Sequence, residues 1–307
     1  MSIFVVGGTG TLGRPVVRQL VAAGFEVRVL VRSSANLSQL RDLGAEPVRA
    51  DLFDAAQMER ALRGCKRVLH LATKIPPVRE ATRKAAWAEN DRIRTRGTRV
   101  LVDSALAAGV TAFIYPSVCL TYPDQGAAWI DTDTELQPGT GMLLSTVAAE
   151  KEVSRFSTMG GRGVVLRMGA FYGPDAPNTA DALAMARRGL AMVVGSREAY
   201  MSQIWVEDAA SAVVVASEKA PAGVYNVVDN EPLTRSEVAT LLASTAGRTK
   251  LFVPPGWLAR VVGGRAMEPL TRSQRVTNRG FRDATGWAPG MANARVGLSR
   301  IREASEP

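Results

Sequence analysis

Short apolar, β-branched runs alternate with segments of helical period through the first half of the chain. The runs IFVVG (3–7), EVRVLVR (26–32), RVLHLA (67–72) and AFIYPS (112–117) predict buried strands. Between the first two, Leu12, Val16, Leu20 and Ala23 share one helical face and Gly24 supplies a stop. A second helical stretch is predicted from about Trp87 to Ala108, ending at Gly109, and a third from about Met142 to Met159. GVVLRM (163–168) reads as a further strand. Strands and helices in this alternation predict an α/β fold of the Rossmann type, a doubly wound parallel sheet covered by helices on both faces.

The rhythm loosens after Gly173-Pro174, where Pro, Trp and Met become more frequent and the elements shorter. VEDAASAVVVA followed by GVYNVVD returns to the earlier pattern. The expected organisation is therefore a sheet domain over 1–173, rejoined by 201–229. A small C-terminal substrate-binding cap subdomain is expected from 174–200 and 230–300.

Composition narrows the class only a little. The 307 residues are 46% hydrophobic and 22% charged, ordinary for a globular protein. Met1 leads straight into an apolar strand, and no apolar run approaches bilayer length, so a cytoplasmic chain without a leader or membrane partner is expected. Cys65 and Cys119 sit in apolar or strand-like surroundings, which predicts buried thiols rather than a disulfide. The net charge of +9 raises the question of nucleic acid. However, the arginines are dispersed, and the densest run, RIRTRGTR (92–99), has no interleaved aromatics to stack on bases. A solvated helix face and a phosphate-bearing cofactor account for the charge better than nucleic acid does.

The chemistry begins at VVGGTGTLGRPVV. Gly7, Gly10 and Gly13 lie between a strand and a helix, where they permit a tight turn, close approach of a pyrophosphate, and close helix–strand packing. Thr9, Thr11 and Leu12 complete the loop. The second strand then bears on which dinucleotide is bound. NAD sites end that strand in Asp or Glu for the ribose diol, whereas this one ends in Arg32, followed by Ser33 and Ser34. A guanidinium there suits a 2′-phosphate, with Arg14 as an assistant, so NADPH is expected in preference to NADH.

With these motifs in place, the chain resembles the extended or atypical branch of the short-chain dehydrogenase/reductase superfamily. The resemblance runs through ADL (50–52), LHLAT (69–73), GTRVLVDSALAAGVTAFIYPS, VVLRMGAFYGP (164–174), GVYNVVD and TGWAP. It implies adenine contacts at Asp51 and Leu52 and ribose contacts at Leu71, Ala72 and Thr73. It also implies that backbone near Gly169 and Ala170 meets the nicotinamide carboxamide. The superfamily's catalytic Asn, Ser, Tyr and Lys do not follow. Their positions fall at Arg94, Val118 (with Ser117 one residue earlier), Met142 and Thr146. No catalytic residue is therefore assigned.

A methionine cannot give up a proton. Epimerase and dehydratase chemistry, which needs an acid or base at the tyrosine, is therefore not expected. Hydride transfer to a ketone that bears its own developing negative charge remains feasible. A substrate pocket is expected around Ser117, Val118, Met142, Thr146, Tyr172, Met201 and Trp205, with Met192, Tyr200, Trp257 and Met267 as further flat or soft contacts for a polycyclic aromatic. The same side chains could equally form the cap's own core. This combination is similar to atypical ketoreductases that tailor aromatic polyketides. A non-catalytic NADP(H)-binding redox sensor is the competing class. His70, inside a strand, is expected to be a packed core residue, and no Cys/His cluster has metal-ligand spacing. Asp131, Asp133 and Glu135 are read as solvated, and Glu207 and Asp208 as the start of a helix.

Overall fold

The computed structural model describes residues 2–33, 37–77, 80, 83–139, 142–254 and 267–304. The chain divides into two compact units. The first comprises Met1–Ser117, Leu144–Leu166 and Ala210–Tyr225; the second comprises Val118–Leu143, Arg167–Ala209 and Asn226–Pro307.

A seven-stranded sheet organises the fold. Its strands, in chain order, are β1 (Ser2–Val6), β2 (Glu26–Val31), β3 (Glu46–Arg49), β4 (Cys65–His70), β5 (Ala112–Val118), then Arg162–Met168 and Gly223–Val227. In space they run β3, β2, β1, β4, β5, Arg162–Met168, Gly223–Val227. The pairings from β3 through β5 are parallel. All five residues of β1 are buried, as expected for a central strand covered on both faces. The direction of winding reverses between β1 and β4, and ligands of such sheets bind beyond the carboxyl ends of the strands at that switch point.

Helices follow the expected places. α1 (Gly13–Ala22) buries Val16, Val17 and Leu20 on one face, and Gly24, at φ +81°, ends that turn of chain. α2 (Leu37–Asp42) and α3 (Ala55–Leu62) were not foreseen. The segment expected to be helical from 87 to 108 is α4 (Ala88–Arg92), a π-helical stretch (Ile93–Gly97) and α5 (Thr98–Ala107). α6 (Met142–Thr158) precedes the sixth sheet strand, and VEDAASAVVVA forms a helix over Val206–Glu218. Phe4, Val68, Leu101, Phe113 and Phe156 are at the centre of this unit's core.

The second unit has a separate core. Leu183, Ala186, Leu242, Leu298 and Ile301 come from helices Pro177–Arg187, Arg235–Thr245 and Ala294–Glu303. Thr234 and Glu237 form a reciprocal capping box at the start of the middle helix. Cys65 and Cys119 are both buried free thiols, as expected. Among the described residues no helix is long and apolar enough to cross a membrane.

Candidate functional site

The glycine loop separates packing from ligand approach. Gly7 has φ +88°, and a Cβ there would lie 2.6 Å from the Ala72 amide nitrogen. A Cβ on Gly13 would lie 2.1 Å from the Gly7 carbonyl oxygen. Both positions are thus glycine for reasons internal to the protein. Gly10 differs: it is exposed, its φ is not positive, and its Cβ would meet only the Gly7 oxygen, at 3.4 Å. Packing alone does not demand glycine there, whereas a phosphate lying against the backbone would. The loop is preformed by Gly10 N–H donating to the Gly7 oxygen at 3.1 Å and Arg14 Nε donating to the Thr9 oxygen at 3.0 Å. No acidic residue lies in the first turn of α1. Thr9 and Thr11 are half-buried beside the loop, and Leu12 and Gly13 are buried. This donor-rich, acid-free helix start fits a dinucleotide's pyrophosphate.

Residues at the neighbouring strand ends fit the rest of a dinucleotide. Arg32 and Ser33 are exposed immediately beyond β2; Ser34 lies outside the described residues. Asp51 is exposed, with Oδ1 accepting from Phe53 N–H at 3.0 Å and its own N–H donating to Gln57 Oε1 at 3.1 Å. Leu52 is buried in the core, which fixes the backbone beside Asp51. Leu71 continues the sheet ladder by donating to the Val6 oxygen at 2.8 Å. Ala72 then backs Gly7, and Thr73 faces solvent.

Beyond β4 and β5 the structure assembles a polar cluster that sequence reasoning largely missed. Ser117 is buried at the end of β5, and its hydroxyl donates to Glu150 Oε1 of α6. Thr146, one turn earlier on α6, is fully buried, and Val118 is half-buried. Met142 opens α6, but its side chain lies outside the described residues. His70 is buried, as expected, with Nε2 3.1 Å from Thr98 Oγ1. Burial pulls its pKa down to about 4, and the nearby Arg94 charge works in the same direction against the Ile93 carbonyl. Its ring lies 5.8 Å from that of Tyr115, whose hydroxyl burial also pushes upward in pKa. Asn90 and Arg94 are buried in the same region. The four-residue spacing of Asn90, Arg94 and Thr98 was the available sequence signal for one continuous buried face.

In the second unit, several expected contacts are occupied by the protein itself. Gly169 N–H donates to the Val227 oxygen at 3.0 Å, and Ala170 N–H donates to the Ser202 oxygen at 2.9 Å. Neither amide hydrogen is left for a carboxamide oxygen. Tyr172 and Trp205 pack edge to face, 5.3 Å between centroids, inside the unit's core. Tyr172 hydroxyl donates to Asp229 Oδ2 at 2.9 Å. Met192 and Met201 are partly buried against that core, and Tyr200 stacks under the Arg275 guanidinium. Met267 is half-buried, and Trp257 lies outside the described residues. Glu207 opens the helix Val206–Glu218 as read, and so does Asp208. Asp208 is buried, accepting from Gly290 and Met291 N–H at 2.9 and 2.7 Å. Asp131, Asp133 and Glu135 are exposed, as read. Burial pushes Asp229 up to about 8, with the Tyr172 hydrogen bond opposing and the Asp208 charge assisting.

Comparison with known proteins bears on the family and the fold. Residues 3–228 match the NAD dependent epimerase/dehydratase family. The chain is 30% identical to a 3-diazoavenalumate denitrifying reductase from a Streptomyces species, over 98% of this chain and all of the relative. It is 29% identical to a 4-hydroxy-2-methyl-3-oxo-4-farnesyl-3,4-dihydroquinoline-1-oxide ketoreductase from Stigmatella aurantiaca, over 80% of this chain and 74% of that one. Among solved structures, a UDP-glucose 4-epimerase from Thermotoga maritima superposes with a TM-score of 0.80 at 22% identity, covering the whole of both chains. That likeness bears on the fold.

Proposed function

The chain belongs to the NAD dependent epimerase/dehydratase family and is an NAD(P)-dependent oxidoreductase; we propose that it is an NADPH-dependent ketoreductase acting on a polycyclic aromatic ketone of the angucyclinone type. The observation that carries this reading is a retained dinucleotide loop in a chain without the superfamily's proton-transfer pair. Gly7, Gly10 and Gly13 are in place, whereas Met142 and Thr146 stand where tyrosine and lysine would.

When bound, NADPH supplies a hydride. The chain's residues then have two tasks, to hold the cofactor and to present the acceptor. In this reading the loop of Gly7, Thr9, Gly10, Thr11, Leu12 and Gly13 holds the pyrophosphate. Arg32 and Ser33 hold the 2′-phosphate, Asp51 and Leu52 the adenine, and Leu71, Ala72 and Thr73 the ribose, with Gly169 and Ala170 meeting the carboxamide through carbonyls. Substrate contacts are assigned to Ser117, Val118, Met142, Thr146 and Met201, whereas Tyr172 and Trp205 are committed to the second unit's core. Proximity and orientation are worth ~7–11 kcal/mol, against about 10²–10⁴-fold for a general acid. A chain that keeps the first and drops the second still catalyses reduction, provided the substrate tolerates a naked oxyanion. Ketones conjugated to phenols and quinonoid rings do so.

The Streptomyces relative favours a second reading, reduction of an aryl diazonium. Hydride addition there expels dinitrogen and leaves the arene, so no proton donor is required at all. The two readings separate on one experiment. NADPH oxidation is followed by absorbance with hydroxyanthraquinone-like and angucyclinone ketones, and in parallel with aryl diazonium salts, with gas evolution monitored. Consumption with the ketones supports the first reading. Consumption confined to diazonium compounds supports the second, and tight NADPH binding with no turnover on either contradicts both.

A further inference from the structure

Asn90, Arg94 and Thr98 recur every four residues across α4, the π-helical stretch and α5, and all three are buried. The π-helical turn is wider than an α-turn, which keeps this spacing on one face; such insertions recur at functional sites. Thr98 Oγ1 lies 3.1 Å from His70 Nε2, and Asn90 Oδ1 accepts from Lys74 N–H at 3.2 Å, at and just beyond the carboxyl end of β4, the edge of the sheet that carries the glycine loop. Arg94 is 5% exposed, and its charge is felt at both His70 and Tyr115.

Among the described residues Arg94 forms no ion pair, and its Nε has no hydrogen-bond partner. Asn90 Nδ2 and the Tyr115 hydroxyl, in the same cluster, also lack partners. Other buried arginines of the chain are satisfied differently. Arg272 donates to the carbonyls of Leu120, Tyr122 and Gln137 and pairs with Glu268. Arg235 donates to the carbonyls of Leu270 and Arg272. Those guanidiniums are held by backbone carbonyls, whereas Arg94, with Glu150 the buried carboxylate of the same cluster but no ion pair to it, keeps an unpartnered buried Nε, a costly arrangement unless a ligand meets it.

We propose that Arg94 is the oxyanion-binding group of the substrate site, assisted by Tyr115 and Asn90. The inference rests on the ketoreductase reading and names its missing electrostatic element. Hydride adds to the carbonyl carbon, the C=O π pair moves to oxygen, and Arg94 holds the resulting anion until solvent water protonates it. A guanidinium stays charged across the working pH range, so it stabilises charge without transferring a proton. The substrate class this favours is an aromatic bearing an acidic oxygen next to the reacting carbonyl.

Alizarin, a hydroxyanthraquinone whose phenol colour reports ionisation, tests the assignment without turnover. In the NADP+-saturated protein its bound phenol should ionise at lower pH than in water. Arg94→Met should raise that bound value by about one unit or more and weaken anion binding about tenfold, one unit being 1.36 kcal/mol. Arg94→Lys should recover part of both effects, and Tyr115→Phe should show a smaller shift in the same direction. NADPH affinity should change less than about twofold in each variant, a difference of under half a kcal/mol. An unchanged phenol titration in Arg94→Met and Tyr115→Phe overturns the assignment. So does loss of NADPH affinity with the dye titration intact, which would place Arg94 on the cofactor, or failure of the wild type to bind alizarin. The ketone panel can fail while the dye result stands, so the two readings are separable.

Discussion

Gly10 and Gly13 should respond oppositely to the same added methyl group. In Gly13→Ala the new Cβ lands 2.1 Å from the Gly7 oxygen and 2.7 Å from Gly8 backbone, where ordinary contact begins at 3.4 Å. Backbone cannot swing aside as a side chain can, so α1 must shift against β1. Overpacking of this kind costs ~1–3 kcal/mol, partly offset by up to ~1 kcal/mol of helix propensity. A melting temperature lower by roughly 2–10 °C follows. In Gly10→Ala the methyl enters open space beside the loop, and the backbone is not in the left-handed region. Folding should be unharmed, or favoured by ~0.4–1 kcal/mol through the stiffer unfolded chain. Cofactor binding should nevertheless suffer, because the methyl displaces a phosphate from charge-assisted contacts worth ~1.5–3 kcal/mol. NADPH affinity then falls roughly 10- to 100-fold. Differential scanning fluorimetry and nucleotide-fluorescence titration read the two effects separately. Gly10→Ala with unchanged NADPH affinity would refute the assignment of the pyrophosphate to this loop.

Arg32→Ala should weaken NADPH by roughly 10- to 100-fold through loss of ~1.5–3 kcal/mol of charge-assisted bonding, leaving NADH almost unaffected in parallel titrations. The raised pKa of Asp229 means the folded state holds its proton between about pH 4 and 8 while the unfolded chain has lost it. Stability from this group is therefore full below pH 4 and falls as pH rises to 8. Asp229→Asn should flatten that decline, gaining on the wild type at pH 8 and not at pH 4 in urea melts. His70 works in the other direction: its pKa, lowered to about 4, makes it lose stability as pH falls from 6.5 toward 4. His70→Gln should lessen the acid loss over that window. Ellman's reagent should leave Cys65 and Cys119 unmodified in the native protein and label both after unfolding, since both thiols are buried.

The sheet was legible because its central strands carry short unbroken apolar runs, such as IFVV in β1, and its first helix carries a clean buried face. β3 (EPVR) was not, since four residues with a proline and two charges carry no period to detect. The glycine loop was legible through spacing, but only the structure separates Gly7 and Gly13, glycine for packing, from Gly10, whose Cβ meets no close contact. Counting back from the superfamily's motifs singles out Arg94, and Val118 with Ser117 beside it, but carries no information on what surrounds them. An arginine at an asparagine's position reads as a loss, and a run of surface arginines around it reads as a solvated face. Burial of Arg94, and the commitment of Ser117 to Glu150, depend on contacts between residues 33 or more apart in sequence, or on a π-helical turn that no local pattern announces. Tyr172 and Trp205 illustrate the converse. They read as pocket aromatics, yet their rings pack on one another in a core.

The central claim is that hydride reaches an acceptor able to hold its own charge, with no proton passed from the protein in the same step. Single-turnover reduction of an active aromatic ketone should therefore slow when NADPH is replaced by its 4-deuterated form, and keep the same rate in H2O and D2O. A rate that drops markedly in D2O, and does so no longer once one hydroxyl of the protein is removed, would contradict the account by revealing a protein acid in the transition state.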